Sequence, residues 1–197
     1  PIYGVIFNLY DGRNNLLGEY TTDQEGVIEF SKELPVGKYK LKEIKADGYV
    51  VDPTIRTVEV KSGETTEVVI ENQPMRGRIQ IVKKAADDNP ITKDKAGALL
   101  EGATFEVYNE DLNVVDTITT DAKGIATTKD LPLGTYGIQE VKAPDYYLLD
   151  GKVFYAALKV HNDLVRFEVL NTSDDVSVSI EKRGNQEVLT GDIMSYD

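Results

Sequence analysis

The chain has 197 residues, 41% of them apolar, and contains neither cysteine nor tryptophan. That length fits about two ordinary domains with modest cores of Val, Ile, Leu, Phe and Tyr, and the missing thiols exclude disulfides and thiolate metal sites. A net charge of −12, from 22 basic and 34 acidic residues, argues against nucleic acid, which needs a concentrated basic face, and against contact with an anionic membrane.

The pattern is already under way at Pro1, so the sequence reads as a piece of a longer protein and missing targeting signals carry little weight. Hydrophobic residues alternate with polar ones nearly everywhere, in short runs separated by Asp-x-x-Gly, Pro-x-Gly and Asp-Gly turns. A first unit spans 1–72. It holds Gly4, Phe7 and Tyr10, then the turn Thr22-Asp23-x-x-Gly26. Next come Leu34-Pro35-Val36-Gly37, the strand Tyr39-x-Leu41-x-Glu43, and finally Val68-x-Ile70-x-Asn72. Residues 73–77 form a short connector in which Pro74 ends the last strand. A second unit spans 78–172. It opens on Ile79-x-Ile81-x-Lys83 and a polar loop, 85–99, and then repeats the first unit. Gly102, Phe105 and Tyr108 stand 98 residues after Gly4, Phe7 and Tyr10. Leu131-Pro132-Leu133-Gly134, Tyr136-x-Ile138-x-Glu140, Tyr147, Asp150 and Phe167-x-Val169-x-Asn171 complete the copy. A repeat near a hundred residues is a whole domain. Residues 173–197 are a linker and the start of a third pattern, Val176-x-Val178-x-Ile180-x-Lys182. The expected fold is all-β, with tandem antiparallel β-sandwich modules. The first module lacks a counterpart of the strand 79–83.

Alternation places Lys83, Glu140 and Asn171 on inward strand faces, and Glu43 and Asn72 likewise in the first module. One polar residue at a strand end is explained by solvent. Five in register across two modules are not, because a buried unpaired charge costs several kcal/mol. A Lys–Glu–Asn cluster supplies partners, and it can react. A desolvated lysine loses its proton and becomes a nucleophile. A protonated Glu can donate to the Asn carbonyl and shuttle protons, leaving a Lys–Asn isopeptide bond and ammonia. Lys84 is the rival amine, on the opposite face. His161 reads as a surface turn. Asp87-Asp88-Asn89 lacks the spacing of a calcium loop and reads as solvated. No metal or cofactor site is expected.

These features resemble the Cna B-type, or SpaA-like prealbumin-like, domains of Gram-positive surface adhesins and pilins. The resemblance rests on Gly102-Ala103-Thr104-Phe105-Glu106-Val107-Tyr108 and on Glu140-Val141-Lys142-Ala143-Pro144-Asp145-Tyr146-Tyr147, echoed by Glu43-Ile44-Lys45-Ala46-Asp47-Gly48-Tyr49. Tyr146 departs from it, standing where Gly is usual. The resemblance implies Lys83 as amine, Asn171 as acceptor and Glu140 as the self-directed catalyst, with Glu43 and Asn72 as an orphaned counterpart and second acceptor. It implies an extracellular stalk, anchored to the cell wall through parts outside this sequence, with neighbouring modules as partners. The alternative is an adhesin module that holds a host or matrix ligand in its loops, the 85–99 loop above all. The 176–182 pattern either begins a third module or adds to the first module of a neighbouring molecule, with Lys182 as donor to Glu43 and Asn72.

Overall fold

The computed structural model describes residues 1–30 and 34–174, and the 176–182 pattern with Lys182 lies outside them. All regular structure among the described residues is β. Strands β1 (Ile6–Asp11), β2 (Leu16–Thr21), β3 (Gly37–Lys45) and β4 (Arg56–Val60) form an antiparallel sheet in the order β2-β1-β3-β4. The turn between β1 and β2 is built by Asp11, whose Oδ1 accepts the backbone N–H groups of Arg13 and Asn15, both at 2.8 Å.

Strands β5 (Arg76–Ala85), β6 (Thr104–Tyr108), β7 (Val114–Thr119), β8 (Ile125–Thr127), β9 (Leu131–Pro132), β10 (Gly134–Lys142), β11 (Val153–Leu158) and β12 (Leu164–Asn171) follow. The sheet β11-β10-β6-β7 repeats the order of the first sheet. A second sheet, β12-β5-β8, faces it. Between them lies one core that includes Ile79, Ile81, Phe105, Val107, Ile138 and Val169. Each such side chain, fully buried, stabilises the fold by roughly 1.5–3 kcal/mol.

The sandwich is antiparallel apart from one pair. Strand β12 runs parallel to β5, in register from Leu164↔Arg78 to Asn171↔Ala85. Among the described residues this pair has no equivalent in the first half. Residues 61–73 carry no strand assignment. Alternation expects Val68 to point inward, yet it is 38% exposed and its neighbour Val69 72% exposed. The reason is a missing neighbour: β12 is held by backbone bonds to β5, and residues 1–72 contain no counterpart of β5.

The expected connector 73–77 is taken up by backbone pairing. Val50 N donates to Gln73 O and Met75 N to Gly48 O, each at 2.8 Å. Arg76 and Gly77 already belong to β5 and pair with Pro132 and Leu131. Pro74 fits here because its position in the bridge with Tyr49 asks no N–H of it. The second half repeats this closure, with Leu148 N on Thr172 O and Asp174 N on Tyr146 O, both at 2.9 Å.

Candidate functional site

Three strands converge on one buried point. Lys83 comes from β5, Glu140 from β10 and Asn171 from β12, and their residues are 0%, 1% and 1% exposed. Strand alternation aims them there: each ends a run whose preceding alternate residues are core residues. Gly124 fixes the height of Lys83. Its carbonyl accepts Lys83 N at 2.7 Å. Its φ is +65°, and a Cβ there would lie 2.7 Å from Lys83 O. Only glycine meets both conditions.

Lys83 Nζ lies 3.0 Å from Glu140 Oε1 and 5.5 Å from the centroid of the Phe105 ring, whose face attracts a cation. The Lys83–Glu140 approach is close but lacks the angles of a hydrogen bond, so neither atom is satisfied. Burial pushes the Lys83 pKa below the ordinary lysine value. The Glu140 carboxylate, and Asp150 more weakly, oppose that shift. Glu140 Oε2 accepts Asp150 N at 2.9 Å and Asn171 Nδ2 at 3.0 Å. Asn171 Nδ2 also donates to Leu148 O. A backbone carbonyl can only accept, so this contact fixes which way the amide faces. Asn171 Oδ1 is buried without a donor. Three polar atoms with unused capacity thus share one buried site, an arrangement native cores rarely tolerate.

One expectation is corrected. Glu140 does not face the Asn171 carbonyl oxygen; it faces the amide nitrogen. The carboxylate therefore sets one oxygen against an amine and the other against a carboxamide NH2.

The first half reproduces the carboxylate–amide part. Glu43 is 3% exposed. Asn72 Nδ2 donates to Glu43 Oε1 at 2.6 Å and to Val50 O at 3.0 Å. Asp52 N donates to Glu43 Oε2 at 3.2 Å. Among the described residues Glu43 makes no ion pair. Lys84 stands apart from the cluster, paired with Glu168 at 2.5 Å on a partly exposed face. His161 lies in an exposed turn, where its Nδ1 accepts Arg76 N at 3.2 Å.

The 85–99 loop differs from its reading as a solvated segment. Asp87 Oδ1 accepts Ser173 N at 2.8 Å, and Tyr147 OH donates to Asp94 Oδ2 at 3.0 Å. Asn89 is 2% exposed, and its Oδ1 accepts Ile91 N and Thr92 N at 2.8 and 3.1 Å. The Asn89-Pro90 dipeptide, a turn initiator, was the one sequence sign of this structure.

A family model for the SpaA prealbumin-like fold domain matches residues 1–74 and 89–173. The chain belongs to the SpaA family. Each matched segment contains one Glu–Asn pair, and the whole of β5, with Lys83, falls between them. Two relatives extend the match. The trypsin-resistant surface T6 protein of Streptococcus pyogenes serotype M6 is 30% identical over 141 residues, covering 58% of this SpaA chain and 26% of the relative. The TIE protein of Bacillus anthracis superposes with a TM-score of 0.76 at 32% identity, covering 87% of this chain and 31% of that one. The chain thus spans about a quarter to a third of these longer proteins. A C-terminal fragment of the pilus adhesin SpaC from Lactobacillus rhamnosus GG shares the fold, with a TM-score of 0.52 at 14% identity over 89% of this chain and 92% of the fragment.

Proposed function

We propose that this chain is a stalk segment of an extracellular, wall-anchored adhesin or pilin-like protein, built of modules 1–72 and 78–172, and that the second module staples itself through a Lys83–Asn171 isopeptide bond. The carrying observation is the Glu140 carboxylate, with Oε1 at 3.0 Å from the amine and Oε2 at 3.0 Å from the amide nitrogen. The neutral Lys83 amine attacks Cγ of Asn171. Glu140 Oε1 takes a proton from the attacking nitrogen, and Oε2 supplies one to Nδ2. The Cγ–Nδ2 bond breaks and ammonia leaves. Amine plus carboxamide become a secondary amide plus ammonia, and Glu140 ends as it began. Burial shifts the amine toward its neutral form, and the fold provides the proximity. The event occurs once per molecule, so the protein turns over no external substrate.

The same chemistry makes Glu43 and Asn72 an acceptor for a lysine on an added strand, Lys182 of another module being the candidate. Covalent dimers on a denaturing gel are expected in that case, and bands only at the monomer position would remove Lys182 from consideration. Loop-borne ligand binding is the weaker reading, because Asp87, Asn89 and Asp94 are spent on contacts within the module. Intact mass spectrometry tests the staple. Freshly folded protein should weigh one ammonia less than its sequence, and a digest should yield one linked peptide containing Lys83 and Asn171. An unmodified mass with no linked peptide would overturn it.

A further inference from the structure

We infer that Asn89 is a positioning residue for the bond-forming site, acting through the backbone of Tyr146; this rests on the proposed Lys83–Asn171 reaction. The two modules place different residues at one demanding backbone position. Gly48 has φ +78° and Tyr146, 98 residues on, has φ +67°. Glycine adopts that left-handed conformation freely, whereas a side chain disfavours it. The Tyr146 ring does not compensate by packing, since the residue is 57% exposed. What distinguishes the second module is Asn89, whose Nδ2 donates to Tyr146 O at 2.8 Å. Asp174 N donates to the same oxygen at 2.9 Å.

Two residues further along, Leu148 O receives Asn171 Nδ2, the contact that decides which way the acceptor amide faces. The path is short and physical: Asn89 holds the Tyr146 carbonyl, the 146–148 segment keeps its course, and Leu148 O holds the amide nitrogen toward Glu140. Without the clamp, residue 146 relaxes toward an ordinary conformation and the carbonyl at 148 turns with it. Displacement of a reacting group by about 1 Å can cost about a hundredfold in rate.

The test uses the full chain made by cell-free synthesis, quenched into denaturant at timed intervals and weighed. Asn89→Ala should lose ammonia about tenfold to a hundredfold more slowly than the unsubstituted chain. Asn89→Asp keeps the oxygen that accepts Ile91 N and Thr92 N but loses the donor to Tyr146. It should be slow as well, while leaving the loop folded. Adding Tyr146→Gly to either variant should restore most of the rate, because glycine needs no clamp. A residue that only supported the loop would change the melting temperature, and glycine at 146 would repair nothing. Unchanged rates in both Asn89 variants, or slow rates that Tyr146→Gly does not raise, would overturn the inference. A second arm separates it from the reaction itself. In Lys83→Met, which cannot form the bond, hydrogen exchange of the Asn171 side-chain amide should quicken with Asn89→Ala and slow again with Tyr146→Gly. If the unsubstituted chain never loses ammonia, the bond reading fails, and this exchange measurement still decides whether Asn89 positions the amide.

Discussion

The two halves of the chain build the same carboxylate–amide pair, and among the described residues only one of them brings an amine to it. Glu43 with Asn72, Val50 O and Asp52 N matches Glu140 with Asn171, Leu148 O and Asp150 N residue for residue, except that Asn72 and Asp52 N take separate oxygens of Glu43 whereas Asn171 and Asp150 N share Oε2 of Glu140, leaving Oε1 to face Lys83. The pair is therefore a product of one strand, the turn after it and the module's last segment, and it forms without the opening strand. The opening strand adds three things at once: the lysine, a parallel partner for the last strand, and a lid on the inner face. Where it is absent, residues 61–73 form no strand and Val68 is 38% exposed.

The largest change should come from removing Glu140, the proposed catalyst of the second half. A bond between residues 83 and 171 closes a loop of roughly 90 residues and, by analogy with a disulfide, is worth about 4–5 kcal/mol. Glu140→Ala should lose the ammonia deficit and this stabilisation together, bringing the second half down toward the first. Peptide-resolved hydrogen exchange should then show β5 and β12 opening far more readily while β1 and β3 are unaffected. Unchanged protection in β5 would count against the staple.

Glycine substitutions should give the next largest effect, unequal between the halves. Gly26→Ala and Gly124→Ala both force a side chain into the left-handed region, at about 1–2 kcal/mol. At Gly124 the new Cβ also meets Lys83 O at 2.7 Å and Leu100 N at 3.0 Å, whereas at Gly26 it meets Ile2 N and Pro1, which lie outside any strand. Gly124→Ala should melt lower than Gly26→Ala and should alone slow ammonia loss. Equal melting and an unaltered rate would show that Gly124 does not set the position of Lys83.

The pH response should separate the halves more gently. The folded Lys83 pKa lies below its unfolded value of 10.5, so between the two the unfolded chain binds the extra proton. In an Asn171→Ala chain, which cannot link, stability should rise with pH through that window, by at most about 1.4 kcal/mol per pH unit. It should level off above 10.5. In the unsubstituted chain the linking rate should rise with pH and reach its plateau below 10.5, where the buried amine is already neutral. A rate that keeps rising to 10.5 would mean an exposed, ordinary lysine.

Lys84→Ala should do least. Its pair with Glu168 is partly exposed, and such pairs contribute about 0–1 kcal/mol. Ammonia loss should proceed as before; its disappearance would move the amine from Lys83 to Lys84.

Alternation alone was enough to place Lys83, Glu140 and Asn171 on inner faces, because a period of two leaves no other choice once Ile79, Ile81, Ile138 and Val169 are core residues. The repeat placed Glu43 and Asn72 in the same way. It overreached at Val68, since alternation records which face a residue prefers and not whether a neighbouring strand is present to make that face a core. The parallel direction of β12 against β5 was likewise hidden: period two is the same for both directions. Asn89 escaped because its role depends on a backbone carbonyl 57 residues away, and carbonyl positions leave no mark in composition or spacing. The facing of the Asn171 amide has the same cause, because the acceptor that decides it is the backbone carbonyl of Leu148.

The parallel pairing of β5 and β12 has a mechanical consequence. The chain enters the second half at the start of β5 and leaves it at the end of β12, and the two strands lie side by side pointing the same way. A pull on the chain at both ends therefore draws the strands past each other along their length. The backbone bonds from Arg78 to Ala85 share that load together, instead of parting one after another as in a peeled hairpin. Lys83 and Asn171 sit at the far end of this lap joint, so a covalent link between them would carry tension from one strand straight into the other and leave the intervening residues slack.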